Sequence, residues 1–145
     1  MATVRNILAK KGPHVWSMTA EVTVLQAARF MTEHKIGAVV VLGGERIVGM
    51  FSERDILQRV VAEGRDPNQA TVGDVMTTEV ACCTAETSLE EARGAMKNRR
   101  IRHLPVVDVD ERLLGVISIG DLNAFQVADQ EQTIFLMNEY LYGRV

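Results

Sequence analysis

Apolar residues fall into two alternating rhythms along this chain, and the same alternation occurs twice. Val24, Ala27, Ala28 and Met31 recur at helical spacing, as do Leu89, Ala92 and Met96, so each set predicts an amphipathic helix. Both helices open on one start signal: Thr23 is followed by Gln26 and Ser88 by Glu91, the spacing of a capping box. Each helical stretch gives way to a β-branched run, Ala38–Leu42 and Leu104–Val107, which reads as a buried strand. Turn residues follow at Gly43–Arg46 and Asp108–Arg112, then second strands at Ile47–Phe51 and Leu113–Ile117. A further helix begins near Glu53 in the first set and near Ile119 in the second. Pro105 is expected to mark a strand start, since it has no N–H to give to an interior ladder.

The two sets correspond residue by residue. Thr23–Asp55 matches Ser88–Asp121; Ile36 and Ile101 lie 65 apart, while Gly49 with Gly115 and Asp55 with Asp121 lie 66 apart. One residue is therefore inserted between the paired strands. The lead-in segments Val4–Leu8 and Val72–Met76 also match, 68 apart, which leaves three extra residues near Lys10–Pro13 in the first copy. The polar stretch Ala62–Gln69 separates the copies. The organisation is a first repeat over residues 1–63, a linker at 64–70, a second repeat over 71–128 and a closing helix over 129–145, with Ile134, Met137 and Leu141 apolar. A unit this short cannot bury its apolar face alone, so the copies are expected to pack on each other. Stacking creates two equivalent clefts, and such interfaces favour small ligands.

Composition narrows the function without naming it. The 145 residues carry a net charge of -3, which makes no electrostatic case for nucleic acid. Basic residues do cluster at Lys97–His103, enough to hold a phosphate group. No apolar stretch approaches the roughly 20 residues of a membrane span, and the first residues lack an export signal. Cys82 and Cys83 are adjacent, which fits unbridged thiols in a reducing compartment, so the cytoplasm is the expected location. No Cys or His pair has metal-ligand spacing. His14, His34 and His103 are scattered without an evident carboxylate partner, and no phosphate-cradling glycine loop is present, so the chain does not read as an enzyme.

One motif closes each second strand: Gly-apolar-apolar-Ser-x-x-Asp, as Gly49–Asp55 and Gly115–Asp121. A strand running into a helix places this Ser and Asp at the helix N-terminus. A carboxylate there can accept hydrogen bonds from two vicinal hydroxyls, as acidic residues hold ribose in dinucleotide folds. The same spacing is also a helix cap that needs no ligand. Duplication preserves a cap as readily as a site, so the motif alone leaves both readings open.

The IGAVVV and IRHLPVV strands, the GMFSERD and GVISIGD motifs and the DVMT segment closely resemble cystathionine-β-synthase-type (CBS) domains, over almost the whole chain. The resemblance implies an α/β (α+β) fold of two tandem β-α-β-β-α repeats, packed as an intramolecular pseudo-twofold pair whose clefts bind adenine nucleotides. Carried over, Asp121 holds the ribose with Ser118 beside it, and Val116 lines the adenine pocket. Arg102 and His103 meet the phosphate, while Ile36, Gly37 and Ala38 wall the base, joined by Val15 and Lys11. The second cleft has Asp55, Ser52 and Met50 in the same roles, with Thr77, and borrows Arg54 or Arg102 for charge. Arg99 and Arg100 read instead as a solvated helix end. Trp16 is either a packing anchor or a base-stacking wall. The implied ligand is AMP, with ATP, ADP and NAD sharing its contacts. The implied protein is a stand-alone regulatory homodimer without a catalytic cofactor, signalling in trans to an unidentified effector protein. The alternative is an interaction module that works without nucleotide.

Overall fold

The computed structural model describes residues 2–12 and 14–142; Pro13, residues 143–145 of the expected closing helix and the Leu141 side chain lie outside the described residues. Repeat one runs α1 (Val4–Lys11), β1 (Ser17–Met18), α2 (Val24–Glu33), β2 (Ala38–Gly43), β3 (Arg46–Ser52) and α3 (Glu53–Asp55), which continues as a π-helical segment over Ile56–Val61. Repeat two runs α4 (Val72–Val75), α5 (Leu89–Arg99), β4 (His103–Val107), β5 (Leu113–Ser118) and α6 (Ile119–Tyr142). The fold is mixed α+β, with a three-stranded sheet ordered β1-β2-β3 and a two-stranded sheet β4-β5. Both capping boxes form as the spacing predicts: Thr23 Oγ1 accepts from the Gln26 amide at 3.2 Å and Ser88 Oγ from the Glu91 amide at 3.1 Å. Lys35 and Arg100 follow α2 and α5 at matching positions with φ of 56° and 55°, the left-handed residue that commonly ends a helix.

Three sequence expectations change. Pro105 stands third in β4 rather than at its start. The backbone carbonyl of Pro105 and the amide of Val107 face the Cys83 segment, each bonding it at 2.9 Å. Pro105 has no N–H to extend that ladder. The first strand of repeat two accordingly shrinks to a single parallel bridge, Cys83 to Val106, where repeat one builds β1. The closing helix is not separate: α6 runs unbroken from Ile119 to Tyr142, with no proline or glycine between Gly120 and Tyr142 to interrupt it.

The largest difference is where the lead-in helices go. Val4 and Ile7 of α1 are buried with Met96, Leu104 and Ile117, the core of repeat two. Val72 and Val75 of α4 are buried with Met31, Val39 and Phe51, the core of repeat one. The helix starts dock in matching pairs: the Val4 amide bonds Thr87 O and the Val24 amide bonds Ala70 O, both at 2.9 Å. The motif glycines make this exchange possible. A Cβ on Gly49 would stand 2.5 Å from Met76 Sδ and 2.9 Å from Thr77 O, and one on Gly115 would stand 2.7 Å from Leu8. The hairpin tips complete the symmetry through two reciprocal ion pairs, Arg46–Glu111 at 3.3 Å and Arg112–Glu45 at 3.2 Å. Among the described residues no helix is long and apolar enough to cross a membrane. Ile134, Phe135, Leu136 and Met137 of α6 stay more than half exposed.

Candidate functional site

Two clefts open between the repeats, and strands β2, β3 and β4 stand between them. The first, about 350 Å³, is lined by Lys11, Val15, Ile36, Gly37 and Ala38 from repeat one, and by His103, Val116 and Ser118 from repeat two. Its size is that of small-molecule sites, about 300–1,000 Å³. Asp121, in the first turn of α6, does not itself line the cleft but bonds Lys11 and Ser118, which do. Its Oδ2 accepts hydrogen bonds from the Ser118 amide at 2.8 Å and from Lys11 Nζ at 2.9 Å. Lys11 also donates to Val116 O at 2.8 Å, so α1 pins the strand that carries the motif. Among the described residues Oδ1 of Asp121 accepts no hydrogen bond, and its side chain is 22% exposed.

The second cleft, about 320 Å³, gathers Met50, Ser52, Arg54, Asp55 and Thr77 of the GMFSERD and DVMT segments. Asp55 differs from Asp121 in one respect that matters chemically: both its oxygens are occupied. Oδ2 accepts from the Ser52 amide at 2.9 Å and from Ser52 Oγ at 3.2 Å. Oδ1 accepts from Thr77 Oγ1 at 3.1 Å and lies 3.7 Å from Arg59 Nε. The residue is only 7% exposed. The capping reading thus holds geometrically at both ends, since Ser52 and Ser118 hydroxyls each accept from the Asp amide, at 3.3 and 3.0 Å.

A family model described as "CBS domain" matches residues 4–62 and 72–127. This chain belongs to the CBS domain family. It is 34% identical over 97% of its length to the mitochondrial CBS domain-containing protein CBSX3 of Arabidopsis thaliana, of which the match covers 72%. A CBS-domain protein from Burkholderia ambifaria MC40-6 superposes with a TM-score of 0.84 at 36% identity, covering 89% of this chain and 96% of that one. The CBS domain pair of protein MJ0100, solved with 5′-methylthioadenosine and S-adenosyl-L-methionine, shares the fold at a TM-score of 0.77 and 20% identity, over 89% and 98% of the chains.

Within the CBS pair, Arg54 and Arg102 line the Asp55 cleft that was expected to borrow one of them, and Arg102 leaves the phosphate position the resemblance implied beside Asp121. Arg102 lines the Asp55 cleft, not the Asp121 cleft. His103 lines both. Arg102 lies in the bend just before β4, outside the strand. Arg99, read from sequence as a solvated helix end, joins Arg102 on the Asp55 cleft. Arg54 is committed across the interface, donating to Arg100 O at 2.7 Å. Burial pushes the His103 imidazole below its ordinary value of 6.5, and the Lys11 charge adds to the shift; Asp121 and Glu53 oppose it. The shift favours the neutral imidazole, which has one N–H to donate.

Two contributors escaped the sequence reading. Arg59, four residues after Asp55, pairs with it, and an i,i+4 search from each motif Asp would have found it. The role of Lys35 at the mouth of the Asp121 cleft had no local signal. Trp16 adjoins the same mouth, stacked on His34 with ring centroids 3.8 Å apart and edge-on to Phe30 at 5.5 Å. It packs against the core of repeat one and also lines the cleft.

Proposed function

We propose that this CBS pair is a regulatory sensor of adenine nucleotides, AMP before ATP, ADP or NAD, bound in the Asp121 cleft. The observation that carries the reading is the Asp121 carboxylate. One oxygen is locked by Ser118 and Lys11 while the other is free to receive ribose hydroxyls. Apolar Ile36, Ala38 and Val116 form a slot for the base, and Lys11 and His103 lie on the same cleft for a phosphate. The adenosine ligands of the MJ0100 pair support an adenosine-type ligand here through shared fold. The chain then acts on other proteins through shape, which requires the ligand to favour one conformation over another.

Calorimetric titration with AMP, ATP, ADP, NAD and adenosine tests this directly. AMP is expected to bind, and at 100 times its dissociation constant to add about 2.7 kcal/mol of apparent stability. Binding by none of the five would leave the nucleotide-independent interaction module. The homodimer belongs to the same proposal and rests on the exposed Ile134, Phe135, Leu136 and Met137 of α6. A monomer mass by light scattering at micromolar concentration would remove it.

A further inference from the structure

We infer that the Asp55 cleft is a site for a phosphate-bearing anion that is held without ribose recognition, so the two clefts of the pair take chemically different ligands. The inference does not depend on what the Asp121 cleft binds. Two observations carry it. The carboxylate that would receive a ribose is buried and saturated: Ser52 donates twice, Thr77 once, and Arg59 lies alongside. A ribose would have to displace Thr77 and reach a carboxylate only 7% exposed. The same cleft nevertheless presents Arg54, Arg99 and Arg102, and no ion pair among the described residues takes any of the three.

Arg99 and Arg102 make no side-chain hydrogen bond among the described residues, whereas Arg54 spends a donor on Arg100 O. Two unpaired guanidinium forks on one wall suit an oxyanion with several acceptor oxygens, since each fork can grip two of them. Three carboxylates, Glu53, Asp55 and Glu79, share the lining with them. Asp55 is consumed as described, and Glu53 lies against Gly37, its Oε1 3.3 Å from the place a Cβ would occupy there. Glu79 also lines the cleft, and it stands in no ion pair. The Asp121 cleft, by contrast, is lined by no arginine among the described residues. The anion is a free oligophosphate rather than the tail of a nucleotide seated in the Asp121 cleft, and one set of titrations separates the two.

Inorganic pyrophosphate is titrated calorimetrically into the full chain, into an Arg99→Ala/Arg102→Ala double variant and into Asp121→Ala. The parent and Asp121→Ala are expected to bind it equally, and the double variant about tenfold or more weakly. Both arginines are exposed, so the double variant should keep the parent's melting temperature. Adenosine should bind parent and double variant alike, with no more than one per chain. Pyrophosphate binding that survives the double substitution, or that falls in Asp121→Ala, overturns the assignment; so does adenosine at two per chain. Prior saturation with AMP that blocks pyrophosphate identifies the anion as a nucleotide's tail reaching past His103, and likewise overturns a separate site. Pyrophosphate binding with no adenosine or AMP binding at all leaves this site standing and removes the nucleotide reading of the other.

Discussion

Asp121→Ala is expected to weaken AMP binding by about tenfold or more, because charge-assisted hydrogen bonds contribute roughly 1.5–3 kcal/mol each and tenfold is about 1.4 kcal/mol. The free Oδ1 is the atom that makes the difference, since Oδ2 is already engaged by Ser118 and Lys11. The substitution also removes a helix cap, which costs on the order of 1 kcal/mol of stability. Asp55→Ala should behave in the opposite sense. It strands the Thr77 hydroxyl and the Ser52 donors, so it destabilises by about 1–3 kcal/mol while leaving AMP affinity nearly unchanged. Titration calorimetry and melting curves on both variants separate ligand binding from capping. If Asp121→Ala melts early yet binds AMP as the parent does, Asp121 is a cap and nothing more.

Ile7→Ala is expected to cost about 2–5 kcal/mol, the range for emptying a well-packed aliphatic site. Ile7 lies 3% exposed in the core built by Met96, Leu104 and Ile117, although it belongs to the first repeat in sequence. Urea unfolding reads the loss as a lower midpoint at unchanged slope. A midpoint within about 0.5 kcal/mol of the parent, the range of ordinary surface substitutions, would show that α1 does not hold the second repeat together. The coupling has a functional side. The same helix carries Lys11 to Asp121 and Val116, so loosening α1 also releases the carboxylate proposed to hold ribose.

Most of the elements were legible because they follow from local rules. Thr23 with Gln26 and Ser88 with Glu91 announced their helices through contacts three residues apart. The β-branched runs before Gly43 and Asp108 announced β2 and β4 in the same way. The Pro105 position and the missing strand beside it were not legible, because a proline's cost depends on which edge of the strand is paired. The length of α6 was misjudged where no breaker residue marked a boundary.

By itself the sequence determined the duplication, the two Gly-x-x-Ser-x-x-Asp motifs and membership of the CBS family, since each is a matter of residue identity and spacing. The tertiary structure alone decided that α1 and α4 exchange cores, and that the motif glycines exist to admit them. It also decided that Asp55 is saturated while Asp121 keeps a free oxygen, and that Arg102 turns to the Asp55 cleft. The physical reason is that Thr77, Arg59 and Lys11 approach the two carboxylates from different elements. Identical motifs meet different neighbours once two nearly identical halves fold into one asymmetric whole.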